Sequence, residues 1–158
     1  MSTKVCFLGN GETCKTSYLN YLTQGTYPRV HRYTPTLGVE VVPVAGTPYV
    51  IWDIAGQERY GGMHDGYYIG SNRVIFFADA SNNETVDALE KWLRDYKRVC
   101  DQSVSDDMAI LLTKCDMAVE EVVHRCKDFA KQHKIRCFQI SLVDDTRFRV
   151  PSLTQIFA

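Results

Sequence analysis

Gly9-Asn10-Gly11-Glu12-Thr13-Cys14-Lys15-Thr16 places glycines, a lysine and a hydroxyl at the spacing of a phosphate-binding loop, with Cys14 at the one defining position where a glycine is expected. Such a loop works because successive backbone N–H groups point inward where a helix begins, and the helix N-terminus adds partial positive charge. Asn10, Gly11, Glu12, Thr13 and Cys14 would line the phosphates, Lys15 would bridge the outer ones, and Thr16, followed by Ser17, would open the helix with its hydroxyl on Mg²⁺. Taken alone, the segment also reads as a glycine-containing turn with an exposed lysine.

A second segment, Asp53-Ile54-Ala55-Gly56-Gln57-Glu58, sets an acid at the end of an apolar run and a glycine three residues on. Mg²⁺ at a triphosphate needs such a carboxylate, often through water. The Gly56 N–H would reach the terminal phosphate, and the Gln57 amide has the chemistry to orient an attacking water. Asp-x-x-Gly is weak by itself and gains weight from following a phosphate loop.

Thr113-Lys114-Cys115-Asp116 ends another apolar run. Asp116 can accept two hydrogen bonds from the N1–H and exocyclic amine of guanine, a donor pair that adenine lacks, and Lys114 can lay its alkyl stem along the base. In isolation these residues read sooner as polar strand-end residues, and the two phosphate motifs reverse that preference.

The elements that would position these segments are legible as short apolar runs. Val5–Leu8, Val50–Trp52, Val74–Phe77, Ala109–Leu112 and Ile135–Ile140 look like strands buried on both faces of a parallel sheet. Val39–Val44 and Tyr49–Trp52, joined across Ala45-Gly46-Thr47-Pro48, read as a hairpin adding one antiparallel edge strand. Helices are predicted from Lys15 to about Leu22, from Ser81 to Cys100 with Ser81 and Glu84 as a capping box, and over Val119–Ala130, with only a stub of helix after Pro151. The expectation is an α/β three-layer sandwich with a mainly parallel six-stranded sheet and one antiparallel edge strand, forming one domain over residues 1–158.

With 45% hydrophobic residues in 158 and a formal net charge of −1, the composition supports one buried core and offers no electrostatic footprint for direct nucleic-acid or membrane binding. The six cysteines are scattered without zinc or disulfide spacing. The N-terminal residues carry no signal or myristoylation pattern and the C-terminal ones no prenylatable cysteine, so a soluble, unanchored chain is expected. Cys14, at a helix N-terminus beside Lys15, reads first as a tolerated small residue; the alternative is a thiol of lowered pKa that forms an oxidation-sensitive lock, against which bound phosphate would push.

In this order the three motifs resemble the Ras superfamily of small GTPases. The middle of the chain is similar to its Ran branch through Tyr33 with Thr36-Leu37-Gly38-Val39-Glu40-Val41, Trp52 to Glu58, Gly61-Gly62 and Asp65-Gly66-Tyr67-Tyr68-Ile69. The resemblance implies that GTP or GDP is the ligand with Mg²⁺ as cofactor, and that Thr36 closes on Mg²⁺ and the terminal phosphate beside Tyr33. It implies Gln57 as the hydrolytic glutamine and a base pocket from Thr113, Lys114, Asp116, Ser141, Leu142 and Val143, with Leu142 supplying only its backbone N–H. It also implies importin- and exportin-type receptors, an exchange factor and a GTPase-activating protein as partners, a monomeric state, and residence in nucleus and cytoplasm. Lys131, His133, Lys134 and Arg136 would correspond to a basic patch of the Ran branch or form a solvated helix end. Glu12 and Cys14 depart from that branch by replacing glycines, at a cost of roughly 1–3 kcal/mol if either needs positive φ. The C-terminal extension of the branch is not matched, which would make the active-like conformation easier to reach. A hydrolysing switch is the leading expectation, a binding module with impaired nucleotide cycling the alternative, and a P-loop kinase or ATPase a third, disfavoured by Asp116.

Overall fold

The computed structural model describes residues 2–26, 38–56, 65–100, 107–143 and 147–158. In chain order its elements are β1 (Thr3–Leu8), α1 (Lys15–Gln24), β2 (Val39–Pro43), β3 (Tyr49–Ile54), α2 (Asp65–Tyr68), β4 (Arg73–Asp79), α3 (Asn83–Asp87), α4 (Leu89–Val99), β5 (Met108–Thr113), α5 (Glu120–His133), β6 (Arg136–Gln139) and α6 (Leu153–Ile156). The strands form one six-stranded sheet in the order β2-β3-β1-β4-β5-β6. Only the β2–β3 pairing is antiparallel, with Val41 opposite Trp52, and the others are parallel.

The apolar runs become central strands because each alternate residue enters one of two cores. Val5 and Phe7 of β1 face one cluster and Cys6 and Leu8 the other; in β4, Ile75 and Phe77 oppose Val74 and Phe76 in the same way. Helices α1 and α6 cover the first face through Tyr18, Leu19, Leu153 and Ile156, and α2, α4 and α5 cover the second through Tyr68, Leu93, Tyr96 and Cys126. That produces the three layers expected of the sequence. Tyr18 packs between Phe7 and Phe77 at ring-centroid distances of 5.8 and 6.0 Å, and its hydroxyl donates to the Pro151 carbonyl at 2.7 Å. Burying each such aromatic is worth about 1.5–3 kcal/mol and the donated bond removes the polar penalty.

The hairpin forms as predicted, closed by Val44 N–H donating to Tyr49 O at 3.0 Å. Other boundaries differ. The segment from Ser81 to Cys100 is two helices joined at Ala88, which keeps helical angles of φ −74 and ψ −15. Its N-cap is Asn82, whose Oδ1 accepts from the Glu84 N–H at 3.0 Å. Ser81 does not cap, because its hydroxyl donates to Asp79 Oδ1 at 2.6 Å, a stronger bond to a carboxylate than to a backbone amide. Helix α5 runs on to His133 and is ended by Lys134 at φ 56. The run Ile135–Ile140 is not doubly buried as expected: β6 pairs only with β5, and Arg136 is exposed at the sheet edge.

Candidate functional site

The carboxyl ends of β1, β3, β4 and β5 meet at one edge of the sheet, where β1 lies between β3 and β4 and the chain connections diverge. Crevices of this kind are where open α/β sheets bind ligands. The segment after β1 starts at Gly9, φ 149, where an added Cβ would stand 2.5 Å from the Phe77 carbonyl oxygen. Only glycine lets β1 leave the sheet past β4. Thr13 Oγ1 donates to the Asn10 carbonyl at 2.7 Å and closes the loop on itself.

Lys15 opens α1 and its ammonium turns back into the loop, donating to the carbonyls of Gly9 and Asn10 at 2.8 Å each. The side chain is buried, and burial lowers its pKa to about 8 against the opposing pull of the Asp53 carboxylate. Glu12 at φ 62 and Cys14 at φ 71 both occupy the left-handed region. The strain expected of side chains at these two places is therefore built into the loop, at roughly 1–3 kcal/mol each. Glu12 is exposed and Cys14 caps α1 through no side-chain bond. The expectation of a lowered Cys14 pKa is corrected: burial pushes the thiol up, outweighing the pull of Lys114, Thr113 and Lys15.

Thr16 and Asp53 face each other across this loop. Thr16 Oγ1 donates to Asp53 Oδ2 at 2.5 Å. Asp53 is fully buried at the end of β3, and its Oδ1 has no hydrogen-bond partner among the described residues. Burial raises the Asp53 pKa against the hydrogen bond from Thr16 and the charge of Lys15. A buried carboxylate oxygen without a donor, beside a hydroxyl, is the donor chemistry of a hard divalent cation that keeps some of its waters. The described residues contain no cluster of three or more His, Cys, Asp or Glu that offers another metal site. Gly56 packs directly on the phosphate loop, where a Cβ would come within 2.5 Å of backbone atoms of Gly9, Asn10 and Gly11. The residue type is thus imposed by the contact between the two motifs.

The third segment joins the same edge. Thr113 Oγ1 lies 3.1 Å from the Thr13 carbonyl and 3.0 Å from that of Ala78, within donating reach of both. Lys114 takes φ 57 and its ammonium pairs with Asp79 Oδ2 at 2.8 Å. Burial pulls the Lys114 pKa down, but the bond and charge of Asp79 outweigh it and the net direction is up. Cys115 N–H donates to the Ile140 carbonyl at 3.1 Å, which brings Asp116 against Ser141, whose Oγ donates to Asp116 Oδ1 at 2.7 Å. Leu142 is buried and Val143 exposed.

The structure therefore gathers Asn10 to Ser17, Asp53, Gly56, Thr113, Lys114, Asp116 and Ser141 to Val143 along one edge. Tyr33, Thr36 and Gln57 lie outside the described residues. Of the basic group, Arg136 donates to the Ile156 carbonyl and His133 stacks on Phe129 at 4.4 Å, while Lys131 and Lys134 are exposed. Two contributors escape sequence reasoning. Asp79, like Asp53, ends an apolar run, and that position was its only signal. Trp92 donates through Nε1 to Asn10 Oδ1 at 2.9 Å across 82 residues of sequence, with no sequence signal at all.

A family model described as the Ras family matches residues 4–151. The chain is 32% identical to the GTP-binding nuclear protein Ran of Giardia intestinalis, over 98% of this chain and 76% of that protein. The six-stranded sheet with its single antiparallel strand, flanked by helices, is the small-GTPase architecture. No helix among the described residues is long and apolar enough to cross a membrane.

Proposed function

The chain belongs to the Ras family as a divergent Ran-like small GTPase, and from that membership we propose that it is a GTP/GDP conformational switch with slow intrinsic hydrolysis. The observation that carries the reading is the pair Thr16–Asp53, with a buried carboxylate oxygen lacking a donor among the described residues, beside the buried ammonium of Lys15. Thr16, Asp53 and Thr36 would hold Mg²⁺, which when bound neutralises phosphate charge. Lys15 would exchange the carbonyls of Gly9 and Asn10 for phosphate oxygens, and Asp116, steadied by Ser141, would read guanine. Thr36 and Gly56 would be drawn in by the terminal phosphate, with Tyr33 alongside, and released on hydrolysis. Gln57 would orient the attacking water. A partner that supplies an arginine to complete the charge stabilisation would accelerate turnover by roughly 10³–10⁵.

By resemblance the partners are importin- and exportin-type receptors, an exchange factor and a GTPase-activating protein, acting in nucleus and cytoplasm. The word "nuclear" in the relative's name supports that placement. The first test is to denature the purified chain, separate released nucleotide by ion exchange, and titrate fluorescent GDP and GTP with and without Mg²⁺. Stoichiometric guanine nucleotide and Mg²⁺-dependent GTP binding support the switch. A second reading, a Ran-shaped binding module with impaired cycling, is favoured by the strained φ of Glu12 and Cys14, and a chain that ignores both nucleotides would establish it.

A further inference from the structure

Trp92 lies in α4, 2% exposed, and is not itself among the residues assigned above to phosphate, metal or base. Its indole Nε1–H instead reaches Asn10 Oδ1 at 2.9 Å. Asn10 is the residue on which the loop converges. Its carbonyl accepts from Lys15 Nζ at 2.8 Å and Thr13 Oγ1 at 2.7 Å, and its carbonyl carbon is one of the three backbone atoms against which Gly56 is seated. The ammonium that would meet the phosphates, the loop's own closure and the glycine of the second motif are thus all referred to one peptide unit. The side chain of that unit is held from behind by a rigid, buried ring.

We propose that Trp92 is a positioning residue for the phosphate loop, acting through Asn10 to set how long guanine nucleotide stays bound. The proposal rests on the nucleotide-binding reading above. An indole has only two side-chain torsions and is packed in the core of its sheet face, so its N–H is a fixed donor. Losing one partner of such a buried hydrogen bond typically changes an equilibrium or off-rate by about 3–10-fold.

The test uses the full chain with Trp92→Phe, Asn10→Ala, the double substitution, and Tyr96→Phe as a control. Tyr96 is on the same helix and donates a hydrogen bond to Ser71 Oγ at 3.0 Å, so its substitution perturbs α4 without reaching the loop. Dissociation of fluorescent GDP should quicken about 3–10-fold in Trp92→Phe and stay at the wild-type rate in Tyr96→Phe. The double substitution should be no faster than the faster single one. In nucleotide-free protein, backbone hydrogen exchange over residues 10–16 should quicken in Trp92→Phe, Asn10→Ala and the double substitution, and not in Tyr96→Phe. A wild-type chain that binds no guanine nucleotide defeats the underlying reading, and hydrogen exchange still decides the positioning claim. Unchanged exchange and unchanged off-rate in Trp92→Phe overturn the proposal, as does faster exchange with an unchanged off-rate. Equal acceleration in Tyr96→Phe also overturns it, since the effect would then belong to the helix and not to the indole.

Discussion

Thr16 and Asp53, 37 residues apart in sequence, meet in a 2.5 Å hydrogen bond from Oγ1 to Oδ2, and the second Asp53 oxygen is buried without a hydrogen-bond partner among the described residues. A native state that buries an ionised carboxylate in this way is less stable for it. Whatever cation engages that oxygen would recover the loss.

Asp53→Asn should therefore stabilise the nucleotide-free protein while removing the Mg²⁺-dependent part of GTP affinity. Burial raises the Asp53 pKa in the native state, so the folded chain binds the proton more tightly than the unfolded one. Stability on this account falls as pH rises from the ordinary carboxylate range through the raised native value, and the penalty persists at neutral pH. Thermal melts between pH 4 and 8 should show that fall in wild type and a smaller one in Asp53→Asn. A variant whose GTP titration still responds to Mg²⁺ would exclude the carboxylate as a cation ligand.

Lys15 predicts the opposite slope. Its native pKa is lowered to about 8, against 10.5 for the free group, so the unfolded chain binds more protons in between. Stability of the nucleotide-free protein should rise from about pH 8 upward, and Lys15→Met should flatten that rise. Phosphate needs the charged ammonium, so GTP affinity should weaken between pH 8 and 9 by up to about tenfold. Affinity measured by titration at pH 7, 8 and 9, with Lys15→Met for comparison, checks both signs.

Glu12→Gly and Cys14→Gly should each relieve left-handed strain. After allowing for the greater freedom of glycine in the unfolded chain, the net gain is about 1 kcal/mol. Glu12→Gly should in addition tighten nucleotide binding by roughly tenfold, because it removes a negative charge from the mouth of the phosphate loop. Denaturant melts and fluorescent-nucleotide titration read the two effects separately. Weaker binding in Glu12→Gly would show that the carboxylate assists the ligand. The raised Cys14 pKa predicts alkylation slower than that of an exposed reference thiol at neutral pH.

Asp116→Asn should shift base preference from guanine towards xanthine. The carboxylate matches the two donors of guanine, whereas an amide can donate to the xanthine 2-oxo group while still accepting from N1–H. Ser141→Ala should weaken guanine binding about 3–10-fold without that shift, since Ser141 Oγ only steadies Asp116. Competition of GTP and xanthosine triphosphate against a fluorescent nucleotide measures the preference, and an unchanged ranking in Asp116→Asn would remove Asp116 from base recognition.

Where the chemistry is local, it was legible. Gly9, Gly11, Lys15 and Thr16 signal a loop between strand and helix by spacing alone, and Asp53 and Asp116 are marked by the apolar runs they end. Ser81 misled because a capping box is also a local pattern. Which acceptor its hydroxyl chooses depended on Asp79 being 2.6 Å away at the end of β4, and Asn82 took the cap.

The sequence by itself determined the strand-helix alternation and the sheet with its antiparallel edge, because periodicity and residue type act over a few neighbours. Only the tertiary structure decided that Lys15 folds back on its own loop, that Glu12 and Cys14 sit at positive φ, and that burial drives the Cys14 thiol up. The same holds for Trp92 behind Asn10 and Asp79 behind Lys114. Desolvation, charge pairing and the seat of Gly56 on the phosphate loop are sums over residues from different strands and helices. Their distances exist only once the sheet has brought its carboxyl ends to one edge.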